Sequence, residues 1–205
     1  MTEPALVVVR HGATEWSENG RHTSYTDLTL LPKGRERARE MRRIFAGKQF
    51  ARVLCSPLAR ARETCELAGF ADQMEICPDL TEWNYGDYEG LTTAQVLEQN
   101  PSWNLWRDGC PGGESPADVA ARVDRAIDLA VGGAAGAAAA TTAGAQTPTD
   151  TIAFAHGHVL RVLGARWIDL GAGRGERLLL GTATISKLGH EHSYRVIEQW
   201  NAATL

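Results

Sequence analysis

Two kinds of apolar pattern alternate along this chain. Residues 5–9, Ala-Leu-Val-Val-Val, are apolar on both faces of an extended chain, the pattern of a buried central strand. From Pro32 the period lengthens. Ala38, Met41 and Phe45 recur three or four apart among charged residues, which predicts an amphipathic helix with Gly47 as its C-cap. Arg52–Ser56 predicts a second strand, and Leu58–Ala68 a helix stopped by Gly69. Residues 75–90 are irregular apart from a short extended piece near Glu75–Pro78. Thr92-Thr-Ala-Gln95 reads as a capping box opening a helix to about Asn100. Residues 101–113, rich in Trp, Gly and Pro, read as a loop. Ser115 as N-cap, Pro116 at the first helical position and Asp118 two further on start a helix to about Val131. Thr151–Ala155 is a third strand, a helix follows from about Val159 to Leu170, and 182–189 and 194–200 read as closing strands.

Strands alternating with helices predict an α/β layered sheet in one domain spanning residues 1–205. Residues 132–150 are mostly Gly, Ala and Thr and read as a flexible surface loop within it.

Composition narrows the partners. A net charge of −4 argues against non-specific binding to nucleic acid or anionic membranes, so any anionic ligand needs locally gathered arginines. The pattern predicts no export signal and no membrane span. Cys55, Cys65, Cys77 and Cys110 lack metal-site spacing and read as buried free thiols, which fits a reducing cytoplasm. No metal-ligand motif occurs, and His190 and His192 read as a solvated turn. The expected partner is a small metabolite; self-association as a homodimer stays open.

Three of the predicted strands end in reactive or cationic groups: Arg10-His11, Ser56 with Arg60 shortly after, and His156. Open α/β sheets bind ligands at the carboxyl ends of their strands, so these groups are expected to meet at one edge. A neutral imidazole can attack phosphorus. Guanidinium forks match phosphate oxygens, and a second histidine, if protonated, adds positive charge. A carboxylic acid could supply the proton that the leaving oxygen needs.

Arg10-His11-Gly12-Ala13-Thr14-Glu15-Trp16 resembles the R-H-G-x-[ST]-x-W signature of the histidine phosphatase superfamily, in its branch of cofactor-dependent phosphoglycerate mutases and related phosphatases. Ser56–Thr64, Leu80–Gly90, Gly113-Glu114-Ser115 and Phe154–Gly157 resemble further motifs of that branch, in family order. The resemblance implies a three-layer sandwich with a central, mostly parallel sheet flanked by helices. It implies a metal-independent phosphomonoester hydrolase working through a phosphohistidine, without a cofactor. His11 would be the nucleophile, Arg10, Arg60 and His156 would hold the phosphoryl group, and Glu82 would be the general acid. Ser17, Thr23 and Gly157 fall where the family lines its phosphate pocket, with Ser24 where glycine is usual and Ser17 where asparagine is usual. Tyr85 and the 101–107 loop would face the rest of the substrate. Trp103–Cys110 is similar to the loop of sedoheptulose-bisphosphatase-like members, which gives His22 and Arg107 a second phosphate or sugar hydroxyls to contact.

Other readings differ in kind. A phosphoglycerate mutase would need more cations around its substrate, yet Arg107 is the single basic residue between Glu82 and Glu114. A non-enzymatic phospho-ligand binding protein would not need the whole set His11, Arg10, Arg60, Glu82 and His156. His158, Arg62 and Arg161 read as ordinary structural or surface residues, Trp103 and Trp106 as packing or substrate contacts, and Glu89 as a poorer acid than Glu82 by motif register.

Overall fold

The computed structural model describes residues 3–137 and 150–205. Its strands are β1 (Leu6–Arg10), β2 (Arg52–Cys55), β3 (Met74–Ile76), β4 (Thr151–Ala155), β5 (Ile185–Glu191) and β6 (Tyr194–Ala202). They form one sheet in the order β3-β2-β4-β1-β5-β6. β3, β2, β4 and β1 pair in parallel, and β5 and β6 join as an antiparallel extension on the β1 side. The sheet is therefore mixed and mostly parallel.

Side chains of successive strand residues point to opposite faces, and both faces are covered. Leu6, Val8, Leu54 and Ala153 face one cluster, with Val123, Ile127, Leu160 and Trp167 from the helices α6 (Pro116–Ala137) and α7 (Gly157–Trp167). Val7, Val9, Val53, Ile152 and Phe154 face the other, with Met41 and Cys65 from α2 (Pro32–Ile44) and α3 (Ala59–Cys65). This is the three-layer arrangement that the resemblance implies. All four cysteines are buried and free.

Register decides what meets at the sheet edge. Arg10 lies beside Ala155, and Cys55 beside Phe154. The chain continues the pairing one step further: the His11 amide donates to the Ala155 carbonyl at 2.9 Å and the Ser56 amide to that of Phe154 at 3.0 Å. Positions 11, 56 and 156 thus leave the sheet side by side.

Several boundaries differ from the sequence expectation. α6 continues past Val131 to Ala137, taking in the start of the segment expected to be a loop. Alanine is the best helix former, and tertiary anchoring of the first turns offsets the three glycines of the extension. Residues 138–149 of that segment lie outside the described residues. A four-residue helix α5 (Leu105–Asp108) interrupts the 101–113 loop, capped by the Asn104 side chain on the Trp106 amide at 2.9 Å. α2 ends at Ile44 with Phe45 as its C-cap, two residues before the Gly47 expected in that role. α7 starts at Gly157 and ends at Trp167, earlier at both ends than expected. The capping box at Thr92 forms as expected and opens α4 (Thr93–Gln99); the expected N-cap at Ser115 also forms, with the Asp118 carboxylate accepting in return from the Ser115 amide. A further box at Thr14 opens α1 (Glu15–Asn19). Among the described residues, no helix is long and apolar enough to cross a membrane.

The loop after β1 is fixed by backbone contact with α2. A Cβ on Gly34 would lie 2.5 Å from the Ala13 oxygen and 2.7 Å from its nitrogen. A Cβ on Gly12 would lie 2.7 Å from the Gly34 oxygen. Only glycine at both positions lets the chain beside His11 seat on the helix. Gly34→Ala must push the loop off α2, with an expected stability loss of about 1–3 kcal/mol in urea unfolding. An unchanged midpoint would contradict this contact.

Candidate active site

At the edge described above lies a cavity of about 180 Å³. Arg10, His11, Ser17, His22, Thr23, Glu82, Tyr85 and Gly157 of the expected set line it. So do Trp16, Arg21, Thr93, His158 and Arg161, to which the sequence reading gave no substrate contact. His158 and Arg161 carried a legible signal: they sit three apart in the first turn after a strand ending in His156-Gly157, hence on one helix face.

His11 is 5% exposed. Its Nδ1 lies 2.7 Å from the Gly12 carbonyl oxygen. A carbonyl can only accept, so Nδ1 carries the hydrogen and Nε2 the lone pair. Burial, then the charges of Arg60 and Arg10, push the His11 pKa well below the usual histidine range. The resting ring is therefore a neutral imidazole with a free nucleophilic nitrogen.

Arg10 gives Nη1 to the Leu180 carbonyl at 2.5 Å, while its Nε is buried without a partner. Its guanidinium lies against Gly157, where a Cβ would come within 3.2 Å of Cζ. An unmatched buried donor costs about 1–3 kcal/mol, and an anion's oxygen would satisfy it.

Arg60 and His156 stand behind the cavity wall rather than in it. Arg60 is 1% exposed and gives its donors to the carbonyls of Thr26, Thr23 and Ser24 at 3.3, 3.0 and 3.1 Å. Its Nε donates to His156 Nδ1 at 3.1 Å. Since arginine cannot accept, His156 Nδ1 is unprotonated, and Nε2 donates to Ser56 Oγ at 2.7 Å. Burial and the nearby Arg60 hold the His156 pKa well below its usual range. His156 is thus neutral in this state, in place of the protonated ring considered from sequence. The two histidine rings lie 5.2 Å apart, so Arg60 reaches His11 through its charge.

Glu82 projects from the loop after Leu80 and sits on the N-terminus of α7. Its carboxylate accepts from the amides of His158 at 3.0 Å, Val159 at 2.8 Å and Trp83 at 2.8 Å. Glu114 fastens that loop. It accepts from the Asn84 amide at 2.8 Å and pairs with Arg122, whose Nη1 also binds the carbonyls of Asp79 and Thr81. Glu89, the other candidate acid, is spent on the backbone: it accepts from the amides of Ser24 and Thr26.

Three expected substrate contacts take other roles. Arg107 is exposed, pairs with Asp108 and borders a separate surface depression with Arg174. The tight turn of α5 turns its side chain away from His11's cavity, and the 101–107 loop does not line that cavity. Ser24 is fully buried, its amide on Glu89 and its hydroxyl 3.4 Å from the Glu82 carbonyl. Ser17 reaches the cavity, but its hydroxyl closes the Thr14 capping box. No group of three or more His, Cys, Asp or Glu side chains suited to a metal ion occurs among the described residues.

Comparison with known proteins agrees with this geometry. The model of the histidine phosphatase superfamily, branch 1, matches residues 6–203. The chain belongs to the histidine phosphatase superfamily. It is 38% identical to an acid phosphatase of Mycobacterium tuberculosis over 192 residues, covering 93% of this chain and 88% of that protein. It is 36% identical to sedoheptulose 1,7-bisphosphatase of Saccharomyces cerevisiae, covering 82% of this chain and 69% of that one. A solved structure of an open reading frame from Mycobacterium tuberculosis superposes with a TM-score of 0.85 at 35% identity, over 97% of each chain. This histidine phosphatase is thus a phosphatase by family, and it shares the fold of its relatives.

The lowered His11 pKa has a definite sign. The neutral form persists as pH falls through 6.5, the ordinary histidine value. In ligand-free protein, ¹⁵N NMR should show His11 as the Nδ1–H tautomer, still unprotonated at Nε2 at pH 6.5. A titration midpoint at or above that value would contradict the reading.

Proposed function

We propose that this histidine phosphatase hydrolyses phosphomonoesters of small sugars, mono- or bisphosphates, through a covalent bond between phosphorus and His11 Nε2. The observation that carries the reading is the presence, in one cavity, of His11 with its Nε2 lone pair free and of Arg10 with an unsatisfied Nε–H.

The reaction balances without a metal or cofactor. His11 Nε2 attacks phosphorus as the bond to the ester oxygen breaks, and Glu82 passes its proton to that oxygen. The alcohol leaves. Glu82, now a carboxylate, takes a proton from water, the water oxygen attacks phosphorus, and the N–P bond breaks to release inorganic phosphate. Arg10 meets the charge on the transferring group directly. Arg60, locked to three carbonyls and to His156, adds a fixed positive field without needing to reorganise.

The cavity also favours a polar remainder of the substrate. Arg161 lies over Trp106 at 4.4 Å, held by the carbonyls of Gly175 and Glu176, and Arg21 binds the Gly90 carbonyl. Arg161, Arg21 and Thr93 line the same cavity as Arg10 and give its wall a polar character. The named substrates of the sedoheptulose 1,7-bisphosphatase and of a related glucosyl-3-phosphoglycerate phosphatase support a sugar phosphate here. The cells' compartment that fits four buried free thiols is the reducing cytoplasm.

Leaving-group dependence tests the scheme. His11→Ala should abolish turnover of both p-nitrophenyl phosphate and ribose 5-phosphate. Glu82→Gln should lower kcat/KM on ribose 5-phosphate by about 10²–10⁴, as for loss of a general acid, and much less on p-nitrophenyl phosphate. The nitrophenolate leaves without needing a proton. Equal losses on both esters would remove Glu82 from the acid role.

A further inference from the structure

Three aromatic side chains make one wall of the cavity, and the mechanism above uses none of their polar atoms. Tyr85 is 2% exposed, and its hydroxyl lies 2.5 Å from His158 Nδ1. His22 stacks on Tyr85 with ring centroids 4.7 Å apart and planes 20° apart. Trp106 meets the His158 ring edge-on at 5.3 Å. His22, Tyr85 and His158 all line the cavity.

The hydrogen in the Tyr85–His158 bond can be placed. Burial, and then the charge of Glu82, push the Tyr85 pKa well above its usual range, so the phenol keeps its proton. Among the described residues, His158 Nδ1 is the single acceptor within reach of that hydroxyl. A buried hydroxyl without an acceptor is costly, so the phenol donates to Nδ1. Burial and the neighbouring Arg161 hold the His158 pKa well below the usual range, so the ring is neutral. Its remaining hydrogen is then on Nε2. No protein acceptor binds Nε2 among the described residues.

The backbone of the same residue fixes where this donor sits. The His158 amide donates to Glu82 Oε2 at 3.0 Å. The ring of His158 and the carboxyl that protonates the leaving oxygen are therefore tied to one residue, on one turn of α7. Glu82 and His158 also line the same cavity, so a substrate oxygen carried on the carbons near the leaving oxygen would face the ring.

Resting on the phosphohistidine reading and deepening it, we propose that His158 is a specificity-determining residue of the site. Its Nε2–H, oriented by the Tyr85 hydroxyl, donates to a hydroxyl or ring oxygen next to the scissile ester. The substrate class this selects is the polyhydroxylated alkyl phosphate, over alkyl phosphates of similar leaving ability that carry no second oxygen. Tyr85 acts through His158 and is a positioning residue.

The test compares ribose 5-phosphate with n-butyl phosphate. Both lose an alkoxide that needs the Glu82 proton, so their kcat/KM ratio isolates recognition of the sugar oxygens from acid catalysis. His158→Phe keeps the ring volume against Trp106 and removes both nitrogens; the ratio should fall tenfold or more. His158→Gln restores an N–H donor at comparable reach and should recover part of the ratio. Tyr85→Phe should lower it by a smaller factor. Thermal unfolding of each variant separates a folding defect from a loss of selectivity. An unchanged ratio in folded His158→Phe overturns the proposal, as does a ratio in His158→Gln no better than in His158→Phe. Turnover of either ester by His11→Ala would instead sink the phosphohistidine reading on which it rests.

Discussion

The hydrogen bond from His11 Nδ1 to the carbonyl of its own neighbour, Gly12, is the constraint on which the site depends. It spans 2.7 Å between adjacent residues, so almost nothing in the rest of the chain can break it. It decides which nitrogen is nucleophilic. The two guanidinium groups then do what they could not do near a cationic ring: they penalise protonation of the imidazole while leaving its lone pair available. Gly12 itself is pinned twice, by its amide on Thr64 Oγ1 at 3.0 Å and by contact with Gly34. Packing of the loop after β1 on α2 therefore reaches the orientation of the reacting ring.

A second constraint runs through the acid. Glu82 belongs to an irregular loop, and such loops are usually the mobile parts of a fold. Here three amides hold its carboxylate, two of them among the free N–H groups of the first turn of α7. The Glu114–Arg122 pair fastens the same loop to α6. Helix α7 thus serves both partners of the reaction: its N-terminus seats the acid, and the absence of a Cβ at Gly157 gives Arg10 room against it. Arg60 and His156 form a rigid layer behind them. Their donors are already matched by protein, so their contribution in this state is a field and a scaffold.

What the sequence made legible was local. β1 and β4 were readable because strands buried on both faces are uninterrupted apolar runs, and the chemistry follows immediately at Arg10-His11 and His156-Gly157. The convergence of those ends followed from the general behaviour of parallel sheets. Glu82 was legible through motif register alone, because nothing in its own surroundings in sequence announces a bond to residues 158 and 159. The inward turn of Arg60 was not legible, since its acceptors are carbonyl groups about 34–37 residues away in sequence. The outward turn of Arg107 was hidden for the opposite reason: a four-residue helix has too few positions to show a period, so α5 read as loop. The spacing of His158 and Arg161 on one helix face was legible, but the bond and contact that orient the His158 ring were not, since Tyr85 and Trp106 come from two distant loops. The extension of α6 to Ala137 shows alanine propensity outweighing three glycines once the helix is already anchored.

The central claim is that phosphorus becomes bonded to one nitrogen of one residue. Rapid acid-free quenching of the enzyme during turnover of a ³²P-labelled phosphate ester, followed by peptide mapping, tests it most directly. The account predicts a base-stable, acid-labile phosphoryl group on the peptide carrying His11, attached at Nε2. Label on any other residue, or none above background under conditions where turnover is measured, would contradict it.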